Sequence, residues 1–247
     1  MKLAIIGGSL LKGLSNFITI AEEKINTPFG TPSGHFVTGM IDDIEVIYIN
    51  RHGSEHHIAP HQINYKANMF VLKTLEVTDI IAITAVGGIT EAMSPMKWVV
   101  PDQIIDYTHG RLQTYSDVND TKVNHIDFSY PFDDALRNRI IAVLKNQACE
   151  HETQGTYGVT QGPRLETIAE IKRLHHDGCD IVGMTAMPEA SLARELEMNY
   201  ATLSLVVNWA AGKGSGELIS MEEITQLIAD GSETCEMIIK AVITAVE

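Results

Sequence analysis

Five places in this 247-residue chain combine small hydroxyls, glycines and one arginine in a way that suits an oxyanion. Gly7-Gly8-Ser9, Asn50-Arg51-His52-Gly53, Thr84-Ala85-Val86-Gly87-Gly88, Met184-Thr185 and Asn208 each stand at the end of a short apolar, β-branched run. A guanidinium offers a forked, charge-assisted contact, hydroxyls add donors, and glycine exposes backbone amides. Each alone has a plainer reading, because a Ser or Thr after a strand is commonly a helix cap. Together they suit one anion site beyond the strand carboxyl ends of an open α/β sheet.

Several rival signals fail. Gly7-Gly8-Ser9 is not GxGxxG, and no acidic residue follows at the distance a dinucleotide fold needs. Gly212-Lys213-Gly214 is no P-loop, since Val207 stands where its first glycine belongs and Gly214 replaces the Ser/Thr. His52, His56, His57 and His61 have spacings that could pair imidazoles on a helical face. Gly53 and Pro60 argue for a loop instead, and no metal is expected. Cys149, Cys179 and Cys235 are odd in number and lack CxxC spacing, which disfavours disulfides and a zinc ribbon.

The net charge of −14 disfavours nucleic acid as a partner while leaving room for a locally positive site. Apolar residues make up 45% and charged residues 20%, an ordinary globular balance. The longest apolar runs are strand-length, so no membrane span is expected. The opening Met1 to Gly8 reads as a buried strand rather than a signal peptide, and a cytoplasmic location is expected.

The positioning elements follow from periodicity. Strands are predicted over residues 3–8, 44–50, 79–85, 103–106, 155–161, 180–185 and 201–208. Helices are predicted over 62–75, 133–145, 166–176, 189–197 and 221–246, with Pro188 suiting a helix start. This alternation implies an α/β fold, a mixed central sheet flanked by helices on both faces, in a single domain over 1–247. Residues 106–131 form the longest polar stretch without periodicity, as a functional or interface loop would.

Six segments together resemble a known family: Ile5-Ile6-Gly7-Gly8-Ser9, residues Thr27 to Ser33, Arg51-His52-Gly53, Asn64 to Asn68, Gly162-Pro163-Arg164 and Met184 to Glu189. The chain is similar, from about Leu3 to Glu223, to methylthioadenosine phosphorylase and its relative, the trimeric purine nucleoside phosphorylase. The resemblance implies a phosphorylase/hydrolase-like fold, a homotrimer and a phosphate-dependent pentosyl transfer. It places phosphate on Ser9, Arg51, His52, Thr84, Ala85 and Thr185, and ribose against Met184. His125 resembles the residue that a neighbouring subunit lends to the 5′ end. Inorganic phosphate is then a co-substrate, and no cofactor is implied.

Two departures from the methylthioadenosine branch bear on the base. That branch typically ends its last strand Thr-Asp-Tyr-Asp, where this chain has Val207-Asn208-Trp209-Ala210. A carboxylate only accepts hydrogen bonds, which suits an adenine amine; Asn208 can donate to O6 and accept from a protonated N7. Ala210 lacks the second carboxylate. Glu166 stands where that branch tends to have Ser, and can accept the N1–H of a 6-oxopurine. Met221 precedes the paired glutamates where the 6-oxopurine phosphorylases have a His for the 5′-hydroxyl, and a thioether suits a methylthio group. Leu165 replaces an aromatic that usually stacks on the base.

This hybrid predicts S-methyl-5′-thioinosine as substrate, with Asn208 assisting base departure. The rivals are a methylthioadenosine phosphorylase, a general 6-oxopurine nucleoside phosphorylase, a nucleosidase using water, and a purine-binding protein without activity. The plainer readings are a first-turn helix charge for Glu166, a strand-end cap for Asn208 and a helix-start core residue for Met221.

Overall fold

A computed structural model describes residues 2–245 except 12, 16, 56, 117–121, 215 and 217. Its strands are β1 (Leu3–Gly7), β2 (Ile18–Glu23), β3 (Phe36–Ile41), β4 (Ile44–Asn50), β5 (Asp79–Gly88), β6 (Trp98–Val99), β7 (Gln103–Asp106), β8 (His151–Glu152), β9 (Thr156–Val159), β10 (Ile181–Gly183) and β11 (Asn199–Trp209). Its helices are α1 (Tyr65–Thr74), α2 (Asp134–Asn146), α3 (Ile168–His176), α4 (Ala186–Glu195) and α5 (Met221–Thr244). The expected mixed sheet with helices on both faces is what forms. All strands join one sheet, in the order β2-β3-β4-β1-β5-β10-β9-β7, with β11, β6 and β8 branching from β5.

The buried strands explain the layering. β1 is fully buried along its length, and β5 and β11 nearly so. Such strands need cover on both faces. Leu3, Ile5, Ile81 and Leu205 pack toward α2 and α5, while Ala4, Ile6, Ile80 and Val206 pack into the core that holds α1 and α4. This is the period-two alternation of a strand feeding two cores.

Local chemistry sets the helix starts. Asp133, Thr167 and Ser220 cap α2, α3 and α5 by accepting from the backbone N–H three residues on. At α3, Glu170 returns a bond to Thr167, completing a capping box. The helix predicted over 166–176 therefore begins two residues later, at Ile168, and Glu166 lies outside it. Pro60 starts a separate 3-10 turn over Pro60–Gln62, which delays α1 to Tyr65. Within α4, Met187 and Pro188 depart from helical geometry, so the regular turns begin at Glu189 as expected.

β5 is where the sheet opens. One of its edges pairs with β11 from Asp79 to Gly88. The other pairs with β1 at Asp79 to Ala82 and with β10 only at Gly87 and Gly88. Ile83 to Val86 lie between those two neighbours, where β1 and β10 part. That gap is a topological switch point, the place where open α/β sheets receive ligands.

Candidate active site

A cavity of about 470 Å³ fills this gap. Ser9 follows β1, Arg51 and His52 follow β4, Thr84 and Ala85 lie on the open stretch of β5, and Thr185 follows β10; all six line the cavity. The strand ends that looked individually weak thus converge. The plainer capping explanation does not hold for two of them. Thr185 occupies the N-cap position of α4 without a side-chain capping bond. The Thr84 hydroxyl instead pairs with Ser204 across the sheet at 2.8 Å.

Arg51 is 1% exposed, and its guanidinium is oriented differently from expectation. The fork grips Glu189, with Nε donating to Oε1 at 2.7 Å and Nη2 to Oε2 at 3.1 Å. Nη1 donates to the Ile83 carbonyl at 2.7 Å. Tyr200 donates its hydroxyl to the same Glu189 carboxylate at 2.9 Å. Burial works against the Arg51 charge, but Glu189 beside it outweighs burial and holds the guanidinium protonated, above its ordinary range. Arg51 therefore contributes a fixed positive charge to the cavity wall rather than a forked grip on an anion. Gly8 makes this possible, because a Cβ there would meet Arg51 Nη1 at 2.8 Å.

His52 Nδ1 lies 2.8 Å from the Ile58 carbonyl. A carbonyl only accepts, so Nδ1 carries the proton in this contact. His57 joins the lining, and His61 lies exposed beyond it on the Pro60–Gln62 turn. His56 lies outside the described residues. Among the described residues, no three His, Cys, Asp or Glu side chains are grouped to hold a metal ion.

Away from the hydroxyls, Asn208, Ala210, Glu166, Leu165 and Met184 continue the lining. Asn208 owes its aim to a bulge: β11 pairs Val206 with Val86 and then Asn208 with Gly87, leaving Val207 unmatched. Its Nδ2 donates to the Trp209 carbonyl at 2.7 Å, which fixes which end of the carboxamide is nitrogen. Asn208 caps no helix. Glu166, freed from α3, accepts from the Thr160 hydroxyl at 2.6 Å, so the reading as a first-turn helix charge also falls. Thr160 was not anticipated, and only its position six residues before Glu166, at the end of β9, could have suggested it.

Met221, Ile219, Ile224 and Ile228 supply an apolar wall around the start of α5. Met221 is 61% exposed, so it borders the mouth instead of joining the core. Two expected residues do not line the cavity. Trp209 alternates to the other side of β11 from Asn208 and packs its indole against Gly214. His125 is exposed on the long loop, away from the cavity of its own chain.

Arg111, on the same loop, ties two segments beside the cavity together. It donates to the carbonyls of Met184, Met187, Thr160 and Gln161. The long polar stretch is thus fastened to the site, and sequence periodicity carries no signal for that.

A cavity lined by hydroxyls, an arginine, a carboxylate, a carboxamide and an apolar helix start has the chemistry that group transfer to an anion needs. The chain belongs to the phosphorylase superfamily, whose model matches residues 2–244. A protein of Pseudomonas syringae pv. tomato named "Probable S-methyl-5′-thioinosine phosphorylase" is 48% identical, with 98% of each chain covered. The "6-oxopurine nucleoside phosphorylase" of Pyrococcus furiosus is 40% identical, over 99% of this chain and 92% of its own. Among solved structures, methylthioadenosine phosphorylase from Schistosoma mansoni in complex with adenine superposes with a TM-score of 0.94 at 30% identity, over 100% of this chain and 92% of that one.

Proposed function

We propose that the chain cleaves S-methyl-5′-thioinosine with inorganic phosphate, releasing hypoxanthine and 5-methylthio-ribose 1-phosphate. The observation that carries this reading is the pairing of Glu166 and Asn208 in a cavity whose α5 wall is apolar. The name of the 48% identical relative supports it independently.

In the proposed step, a phosphate oxygen bonds to C1′ as the bond from C1′ to the purine nitrogen breaks. Ser9, His52, Thr84, Thr185 and the amide of Ala85 hold the phosphate, and Arg51 supplies the fixed positive charge. The departing base carries the bond electrons and takes a proton from water at N7; Asn208 stabilises it by accepting from that N7–H and donating to O6, and Glu166 accepts from N1–H. Met184 packs against the ribose and Met221 against the methylthio group. Leu165 and Ala210 complete the base wall. Positioning and electrostatics supply the acceleration, so neither a protein nucleophile nor a cofactor enters the step.

The chain acts as one domain and as a homotrimer in this reading. Leu112, Val123 and Tyr130 are exposed apolar residues on the loop that carries His125, which suits packing against a second copy and lending His125 to its site. A reducing, cytoplasmic setting suits the free thiols of Cys149, Cys179 and Cys235. No helix among the described residues is long and apolar enough to cross a membrane.

Base release from methylthioinosine, methylthioadenosine and inosine, each with and without phosphate, tests the assignment. Phosphate-dependent release with methylthioinosine foremost is expected. Equal turnover of methylthioadenosine would remove the base assignment, strong turnover of inosine would remove Met221 as selector, and release without phosphate would indicate a nucleosidase.

A further inference from the structure

Behind the cradle lies a polar group that no step above uses. Tyr157, on β9, is fully buried, and its hydroxyl makes no hydrogen bond among the described residues. Leaving a buried hydroxyl unpaired costs stability, and such groups are rare enough that each calls for a reason. The position of this one is specific. β9 pairs with β10, setting Tyr157 beside Ile181 and Val159 beside Gly183. The ring then runs along β10 until its oxygen stands against Gly183, where a Cβ would be only 2.2 Å away. Gly183 is itself part of the cavity wall, immediately before Met184 and Thr185. Any side chain at 183 would displace the hydroxyl from that wall.

The surroundings dictate what the hydroxyl can do. Burial, opposed in part by Thr84, Arg51 and Thr185, pushes its pKa up to about 12, so it remains a donor throughout the working range. Tyr157 does not line the cavity, and it must therefore act through neighbours that do. Those neighbours are Thr84 and Thr185, the two threonine hydroxyls of the cradle. Thr84 already shares a hydrogen bond with Ser204 on its far side. A threonine oxygen that accepts a hydrogen bond from behind keeps its own O–H for an acceptor in front, and bonds in such a chain polarise one another.

We propose that Tyr157 is a positioning residue for the anion: its hydroxyl donates to the Thr84 or Thr185 oxygen when phosphate occupies the cradle, turning the threonine O–H toward a phosphate oxygen. The inference rests on the phosphate assignment of the preceding section.

The test is Tyr157→Phe in the full chain, read by thermal melting against inorganic phosphate and by steady-state kinetics. Wild type is expected to gain melting temperature as phosphate rises, because a ligand that binds only the folded state stabilises it. Y157F is expected to melt at the same temperature or higher without phosphate. It should need about tenfold more phosphate for the same gain, the equivalent of one lost hydrogen bond. The KM for phosphate should rise by a like factor while the KM for nucleoside stays unchanged. A wild type that phosphate does not stabilise would remove the cradle and this inference with it. A wild type that responds, beside a Y157F that responds equally, would remove only the role of Tyr157. A Y157F that unfolds, or that loses nucleoside and phosphate affinity alike, would make the hydroxyl part of the folding framework and overturn the proposal.

Discussion

The Thr160 hydroxyl donates to Glu166 Oε1 at 2.6 Å, with the Gly183 carbonyl a more distant alternative at 3.3 Å. One carboxylate oxygen is thereby held from the sheet side, and in the proposed function the carboxylate reads the base. Thr160→Val should leave Glu166 present but poorly aimed. Loss of a hydrogen bond to a charged group is expected to raise the KM for methylthioinosine about tenfold, with the phosphate KM unchanged. Initial-rate kinetics with each substrate varied in turn would show this split, and equal changes in both constants would contradict it.

Base choice should follow the two wall residues. Asn208→Asp with Glu166→Ser replaces a donor–acceptor pair suited to hypoxanthine by an acceptor suited to an adenine amine. The ratio of kcat/KM for methylthioinosine over methylthioadenosine is expected to fall by a factor of order a thousand. The single N208D change should also lower stability, because its carboxylate would face the Trp209 carbonyl that Nδ2 now serves. An unchanged ratio in the double variant would show that other groups select the base.

Met221 lies outside the core, and in the proposed function it selects the 5′ group. Its 61% exposure predicts that Met221→His changes stability by no more than about 0.5 kcal/mol. A hydrogen-bonding ring at that position should favour a 5′-hydroxyl, raising the turnover of inosine relative to methylthioinosine. Competition between the two nucleosides in one assay gives the ratio directly.

The pair Arg51–Glu189 should be a stability element as well as a source of charge. Both side chains are 1% exposed. Glu189→Ala would leave a buried guanidinium with carbonyl partners only, at a cost of about 3–5 kcal/mol. A urea midpoint shifted accordingly is expected, and a loss below 1 kcal/mol would mean the charge finds solvent.

Acid should weaken α3 through its capping box. The Arg164 guanidinium, followed by the Thr167 backbone N–H, draws the Glu170 pKa down to about 2. A carboxyl depressed on folding stabilises fully above its ordinary pKa near 4.5 and loses that contribution as pH falls toward 2. Wild type should therefore exceed Glu170→Gln in stability at pH 6, and the gap should close between pH 5 and 2. Thr167→Ala, which removes the cap itself, is expected to cost about 1 kcal/mol at either pH.

Much of the sheet was legible because its central strands are continuous apolar runs. β2 was not: five of its six residues are exposed, and a strand with so little burial has no hydrophobic signature. β6 and β8 are two residues long and exist only because they pair with each other and with β11. The site divides in the same way. That Ser9, Arg51, His52 and Thr185 follow strands was legible because residue type and strand-end position are local properties, whereas β5 runs on past Thr84 to Gly88. Trp209, next to Asn208, is absent from the cavity lining, as neighbours on a strand face opposite sides.

Residue types and their order along the chain determine the inventory: hydroxyls and glycines near strand ends, a carboxamide near the end of the last strand, and a thioether at the start of α5. Tertiary structure decided how that inventory is used. It parts β1 from β10 along β5 to make the cavity, turns Asn208 inward at a bulge, and brings Glu189 to Arg51 across 138 residues. It also sets the Tyr157 hydroxyl behind Gly183. These relations depend on register and on contacts between distant segments. Local propensity and spacing carry no information about either, so they become visible only when the sheet is assembled.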